Sequence, residues 1–171
     1  SYLSKGRAVA LKDAGLKRIT VSLDALDEET FRTVCDVEFP VSRVLEGIEN
    51  ARQAGFENIK INAVIKRGLN EHSVLPLARY FHGTGSILRF IEYMDVGSTN
   101  NWKLDEVVSA RELVAMINKE MPIEPVSPNY RGEVAKRWRY VDDGGEVGFI
   151  TSVTESFCGD CSRVRLSAVG Q

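Results

Sequence analysis

The chain has 171 residues, with 22 basic and 24 acidic side chains and a formal net charge of −2. This near-neutral balance excludes a broad electrostatic surface for nucleic acid or an anionic membrane. A hydrophobic fraction of 43% and only 5 prolines exclude a disordered tail and a fibrous repeat. The length suits one domain with a sizeable core, and no apolar run reaches the roughly 20 residues that span a bilayer.

Cysteine usage indicates the redox setting. The sequence has 3 cysteines, with Cys35 far from the pair Cys158 and Cys161. An odd number in this arrangement is not a disulfide framework, so we expect a reducing, cytoplasmic environment. The first five residues also lack the apolar region of a signal peptide.

Hydrophobic periodicity predicts alternating helices and strands over residues 1–121. The predicted helices cover residues 3–15, a short segment from 27, residues 41–55, 70–83 and 109–120, and the predicted strands cover 18–24, 58–66 and 87–96. These strands begin one βα unit apart. Right-handed crossovers at that spacing build a parallel sheet, which is either part of a barrel or doubly wound.

The strand faces distinguish these two architectures. One face of each strand is aliphatic, whereas the other carries Thr20, Ser22, Asp24, Lys60 and Asn62. A doubly wound sheet is covered on both faces and has nearly continuous apolar strands. The polar face therefore favours a TIM-like parallel βα barrel whose interior holds a site. The alternative is an interior of paired polar groups without a ligand, although an unpaired buried lysine costs several kcal/mol.

Residues 122–171 have a different character and are predicted to form a β-rich extension of the barrel. Short β segments alternate with prolines and turn residues. Residues 138–141 and 147–150 flank an Asp-Asp-Gly-Gly turn, which predicts a hairpin.

The strongest local motif is the Cys158-x-x-Cys161 pair. Such a pair is compatible with a redox site, half of a zinc site, or two ligands of an iron–sulfur cluster. Arg163 and Arg165 share one face of the segment that follows, and a pair of guanidinium groups suits phosphate binding. A solvated edge with surface ion pairs is the alternative for these arginines.

Residues 152–167 (SVTESFCGDCSRVRLS) resemble the carboxy-terminal cluster motif of the GTP 3′,8-cyclase family. These are radical S-adenosylmethionine (SAM) enzymes that open molybdenum cofactor biosynthesis. Five further blocks resemble the same family in the same order, namely residues 19–27 (ITVSLDALD), 59–64 (IKINAV), 67–71 (RGLNE), 89–97 (RFIEYMDVG) and 129–135 (NYRGEVA). The resemblance therefore extends over nearly the whole chain.

The resemblance implies a lyase with an incomplete βα barrel, two 4Fe-4S clusters, SAM as cofactor and GTP as substrate. It assigns Cys158 and Cys161 to the second cluster. The other implied positions are Ser22, Asn62 and Met94 for SAM, and Lys60, Arg89, Arg163, Val164 and Arg165 for GTP. It implies no nucleic-acid or membrane partner and allows a homodimer.

The chain also departs from the family pattern. It lacks the amino-terminal C-x-x-x-C-x-x-C motif, and the third cysteine of the second cluster would follow Gln171. We therefore interpret it as the middle-to-carboxy-terminal portion of such an enzyme, which needs the missing parts and alone gives no turnover. A non-catalytic zinc module and a radical SAM enzyme with another substrate remain alternative interpretations.

Overall fold

Six strands form one sheet in the computed structural model, which describes residues 3–36, 38–94 and 102–155. The strands are β1 (Thr20–Ser22), β2 (Lys60–Ile65), β3 (Ile87–Glu92), β4 (Ile123–Pro125), β5 (Lys136–Tyr140) and β6 (Glu146–Ile150). Their order across the sheet is β1-β2-β3-β6-β5-β4. The pairs β1–β2, β2–β3 and β3–β6 are parallel, and the pairs β6–β5 and β5–β4 are antiparallel. The fold is thus a mixed and mostly parallel α/β fold.

In the described residues, five α-helices connect and cover these strands. They are α1 (Lys5–Asp13), α2 (Glu28–Cys35), α3 (Val41–Gln53), α4 (Val74–Phe81) and α5 (Ala110–Asn118), with short 3-10 turns at Glu71–Ser73 and Leu104–Glu106. Ser4, Asp27 and Ser109 cap α1, α2 and α5 by accepting a hydrogen bond from a backbone amide of the first turn. Within the described ranges, none of the helices has the length and apolarity needed to span a bilayer.

The alternation predicted for the strands is confirmed. In β2, Ile61, Ala63 and Ile65 are fully buried, while Lys60 and Asn62 on the opposite face are partly exposed. Helices α4 and α5 pack against β3, where Phe90 stacks on Phe149 at a centroid distance of 6.1 Å. The core therefore lies between the helices and one face of the sheet.

Three strands, β1, β2 and β3, end earlier than predicted. The ladder of β1 ends near Leu23 because the Asp24 carboxylate, not a backbone carbonyl, accepts the Val64 amide at 2.7 Å. The β2–β3 ladder ends at the Ile65–Glu92 pair because Lys66 forms an antiparallel bridge to Val107. Positions 95 and 96 of the predicted third strand lie outside the described residues.

The predicted hairpin is confirmed as β5 and β6. Asp143 and Gly145 adopt φ values of 62° and 96° in its turn, a region that Gly and Asp tolerate better than most residues. β6 also pairs in parallel with β3, so residues 123–150 continue the sheet of the preceding segment. Closure into a partial barrel and a domain boundary at residue 121 stay predictions.

Candidate functional site

A row of polar residues crosses the sheet face opposite the main core. The strand register aligns Ser22 with Asn62, Asn62 with Arg89, Arg89 with Gly148, and Gly148 with Arg137. Paired residues of neighbouring strands point to the same face, so these side chains form one continuous row. The structure thus brings together Ser22, Asn62 and Arg89, which the sequence placed in a site.

Arg89 lies at the centre of this row. Its Nε donates a hydrogen bond to Asn62 Oδ1 at 2.9 Å. Gly148 provides the space on the other side, because a Cβ added there would lie 3.1 Å from Arg89 Cγ, closer than ordinary van der Waals contact. A glycine at this position therefore lets the guanidinium side chain lie across β6.

Lys60 lies two residues before Asn62 and points to the same face. Burial lowers its pKa, and the positive charges of Arg89 and Arg18 lower it further, against an opposing effect of Glu133. Among the described residues, none of the carboxylates forms an ion pair with Lys60. A partly buried lysine beside two arginines is an environment in which an anion would be stabilised.

A surface cavity of about 630 Å³ opens beside Lys60. Its charged lining residues are Lys12, Lys17, Arg18, Lys60 and Arg137, together with Glu57 and Glu146. Cations therefore outnumber carboxylates, and the volume is in the range of small-molecule sites.

Arg137 closes the row, and sequence reasoning did not assign it. It makes a bidentate pair with Glu146, with Nη2 2.6 Å from Oε1 and Nε 3.1 Å from Oε2, and its Nη1 donates to the Ser127 carbonyl at 2.7 Å. The pairing largely neutralises this arginine, whereas none of the described carboxylates forms an ion pair with Lys60. The sequence did contain a signal for this ion pair, because the two strands of the predicted hairpin carry arginine and glutamate at alternating positions.

Met94 lies apart from the row. It follows the end of β3 by two residues, and 43% of its surface is exposed. Its position at the carboxyl end of the sheet is compatible with the predicted role toward SAM, which stays a prediction.

A second polar network joins the carboxyl ends of β1 and β2. The fully buried Asn70 donates from Nδ2 to the carbonyls of Asp24 and Val64, and its Oδ1 accepts from the Lys66 amide. Burial raises the pKa of Asp24, although hydrogen bonds from Val64 and Cys35 act in the opposite direction. This network fixes the strand ends, and the sequence analysis did not identify Asn70.

A third network surrounds Glu92, at the carboxyl end of β3. Its carboxylate is 1% exposed and accepts hydrogen bonds from Ala110, Val153 and Thr154. Sequence reasoning missed Glu92 as a functional candidate. The sequence did offer one signal. Leu88, Phe90 and Glu92 share one face of β3, and a carboxylate that follows two apolar residues on the same face is unusual.

The proposed cluster ligands Cys158 and Cys161, and the proposed GTP contacts Arg163, Val164 and Arg165, lie outside the described residues. Thiolate is the ligand type that iron–sulfur clusters take, so the chemistry of this donor pair fits such a group. Within residues 3–36, 38–94 and 102–155, no group of three or more His, Cys, Asp or Glu side chains could hold a metal ion.

Comparison with known proteins places both halves of the chain. Residues 86–171 match the family described as Molybdenum Cofactor Synthesis C, and residues 2–81 match the Radical SAM superfamily. The first match covers half of the chain.

Curated relatives give the same relationship. A GTP 3′,8-cyclase of Acidothermus cellulolyticus is 53% identical over 161 residues, covering 94% of this chain and 44% of the relative. The GTP 3′,8-cyclases of Xanthomonas axonopodis pv. citri and Staphylococcus carnosus are 52% and 45% identical over 96% and 99% of this chain, and 49% of each relative is covered. The chain spans about half the length of these relatives. By its sequence and its family match, it belongs to the Molybdenum Cofactor Synthesis C family.

Proposed function

We propose that the chain forms the GTP-binding part of a radical SAM GTP 3′,8-cyclase and that the polar row lines the nucleotide site. The observation that carries this proposal is Lys60, which is partly buried beside Arg18 and Arg89 without an ion-pairing carboxylate among the described residues. A triphosphate would supply the missing negative charge. The relatives named GTP 3′,8-cyclase support the choice of nucleotide.

Each residue of the site has a proposed part. Lys60 and Arg89 bind phosphate oxygens, and Asn62 orients Arg89 through the 2.9 Å hydrogen bond. Arg163 and Arg165 add charge from the carboxy-terminal segment, with Val164 between them contacting GTP, and Ser22 and Met94 contact SAM. Cys158 and Cys161 ligate the second cluster.

Ser22 and Met94 would hold SAM and Cys158 and Cys161 would hold the second cluster, and these groups would together supply the radical chemistry for hydrogen abstraction at the ribose C3′ of GTP. The residues of this chain bind and orient the nucleotide for that step. Proximity of this kind contributes by holding the reacting atoms in one geometry. We place the sheet within a partial βα barrel, in a reducing, cytoplasmic setting that keeps cluster thiolates available.

GTP binding by the full-length gene product tests the proposal. Lys60→Gln should weaken GTP affinity by about 10-fold or more, because a charge-assisted hydrogen bond contributes roughly 1.5–3 kcal/mol. Lys119→Gln, at the exposed end of α5, is the matched control and should leave affinity unchanged. Equal affinity for the two variants, measured by isothermal titration calorimetry, would contradict the assignment of Lys60.

Metal analysis separates the proposal from a zinc-binding module. Anaerobically purified protein should contain iron and sulfide, and Cys158→Ser should lower both. Cys35→Ser is the control, because Cys35 lies on α2 with its thiol 3.9 Å from the Asp24 carboxylate. Zinc that is lost from Cys158→Ser, without iron in the parent protein, would instead support the zinc module.

A further inference from the structure

Glu92 is a buried carboxylate that has no part in the proposed nucleotide site. It ends β3 on the face that packs against the helices, after Leu88 and Phe90, and is 1% exposed. A charged side chain at such a position is costly unless hydrogen bonds replace its hydration. The groups that supply those hydrogen bonds therefore indicate why a carboxylate stands here.

Four donors satisfy the two oxygens of Glu92. Oε1 accepts from the Ala110 amide at 2.9 Å and the Thr154 hydroxyl at 2.6 Å. Oε2 accepts from the amides of Val153 and Thr154, each at 2.9 Å. Three of the four hydrogen bonds thus come from two consecutive residues that follow β6.

These donors keep Glu92 ionised. Burial alone would raise its pKa, but the hydrogen bonds from Thr154, Ala110 and Val153 outweigh burial and lower the pKa. Among the described residues, no lysine or arginine forms an ion pair with Glu92. Within the described part of the chain, only backbone and hydroxyl donors hold this carboxylate.

Capping of α5 does not account for this arrangement. Ser109 and Glu112 already form a reciprocal capping box, with Ser109 Oγ accepting from the Glu112 amide and Glu112 Oε2 accepting from the Ser109 amide. Glu92 adds one hydrogen bond from the first residue of the helix, whereas it binds the turn after β6 three times. Its main partner is therefore the turn.

The turn at residues 151–155 leads into the segment that carries the proposed ligands. Thr151 Oγ1 donates to the Glu155 carbonyl at 2.7 Å, which closes the turn, and Lys136 pairs with the Glu155 carboxylate. Cys158 follows Thr154 by four residues. The turn is therefore the described segment that lies closest in sequence to the proposed ligands.

We propose that Glu92 is a positioning residue, which fixes the point and direction from which the chain leaves the sheet toward Cys158, Cys161, Arg163 and Arg165. The inference rests on the proposed function for the roles of those four residues. Glu92 itself contacts neither nucleotide nor cluster in this proposal. It acts through the backbone amides of Val153 and Thr154.

Glu92→Gln in the full-length gene product tests this role, with Glu112→Gln as the matched control. Glutamine keeps the size of the side chain but places an amide donor among four donors, so at least one contact is lost. Glu112→Gln makes the same chemical change at the amino end of α5, at a carboxylate that accepts from Ser109 and Arg67 and not from the described turn residues 151–155. Hydrogen–deuterium exchange should rise by about 10-fold or more over residues 153–165 in Glu92→Gln and stay unchanged there in Glu112→Gln.

Bound iron provides a second readout that does not depend on activity. Cys158→Ser should lose part of the iron that the parent protein binds. Glu92→Gln should lose at least half of that same part, whereas Glu112→Gln should bind as much iron as the parent. Unchanged exchange and iron in Glu92→Gln, or equal changes in both glutamine variants, would overturn the positioning role. If Cys158→Ser retains all iron, the proposed cluster ligand fails, and exchange over residues 153–165 alone then decides the role of Glu92.

A milder substitution covers the case in which Glu92→Gln does not fold. Thr154→Val removes the hydroxyl donor but leaves both amide hydrogen bonds to Oε2. Exchange over residues 153–165 should then rise two- to fivefold, whereas no rise would contradict the proposal.

Discussion

The two faces of the sheet share the same strands but follow different physical rules. On the face that packs against the helices, Ile61, Leu88 and Phe90 are at most 1% exposed. On the other face, Lys60, Asn62 and Arg89 retain polar groups that are only partly exposed. Apolar burial contributes about 25 cal/mol per Å², whereas partial burial of a lysine opposes folding.

This difference separates stability from binding. The helix-covered face supplies the core, and the polar face carries the residues of the proposed nucleotide site. Such retained charges are typical of binding sites, where a ligand completes the electrostatic balance. Substitutions on the helix-covered face should therefore change mainly stability, and substitutions on the polar face should also change GTP binding. One substitution on the polar face should raise stability instead of lowering it.

The largest expected effect is on the helix-covered face. Phe90→Ala should lower the free energy of unfolding by about 3–5 kcal/mol, because it removes a fully buried ring stacked on Phe149. Urea denaturation measures this loss. Leu104→Ala, at a side chain that is 65% exposed, is the control and should change stability by about 0.5 kcal/mol or less. GTP affinity of the folded Phe90→Ala fraction should stay unchanged, and a selective loss of binding would break the separation of the two faces.

A smaller effect is expected where the polar face is tightly packed. Gly148→Ala places a Cβ 3.1 Å from Arg89 Cγ, so it should cost about 1–3 kcal/mol and also weaken GTP binding by displacing Arg89. Gly6→Ala is the matched control, because a Cβ at Gly6 meets nothing within 4 Å and lies in α1. Gly6→Ala should raise the free energy of unfolding by about 0.5–1 kcal/mol, since alanine has a higher helix propensity than glycine. A Gly148→Ala protein that is as stable as the parent would show that Arg89 has room to move.

The smallest stability effect should have the opposite sign. Lys60→Met should raise the free energy of unfolding by about 0.5–1 kcal/mol at pH 7 while weakening GTP binding, because it removes a partly buried charge. The pKa of Lys60 is lowered in the folded protein, so the unfolded chain binds more protons at alkaline pH and parent stability rises there with pH. The advantage of Lys60→Met should therefore shrink as pH rises from the folded pKa toward the ordinary value of 10.5. Thermal denaturation across this range measures it, and a constant difference would contradict the assigned cost.

Strand alternation predicted much of the polar face correctly. Lys60 and Asn62 alternate with Ile61 and Ala63, so the sequence alone predicts that they lie on the face opposite the core. Alternation is reliable here because side chains of a strand point to opposite faces with a period of two. The Arg89 hydrogen bond to Asn62 was not predictable, because it depends on the register between β2 and β3.

Glu92 shows where such reasoning failed. Its pattern placed it on the apolar face, and its partners lie 18 residues away at Ala110 and 61 and 62 residues away at Val153 and Thr154. No local pattern encodes contacts at those separations. Arg137 differs, because its pairing with Glu146 lies within one hairpin whose alternation is visible in the sequence, and only the exact partner depends on the β5–β6 register.

The sequence by itself determined the order of helices and strands, the apolar and polar faces of β2, the hairpin and the resemblance to a family. These features depend on short-range periodicity, turn residues and motifs, which neighbouring residues encode directly. Only the tertiary structure decided that β6 pairs with β3, that Gly148 makes room for Arg89, and that Glu92 binds the turn after β6. Those features arise from strand pairing over long sequence separations, where register and packing select the contact.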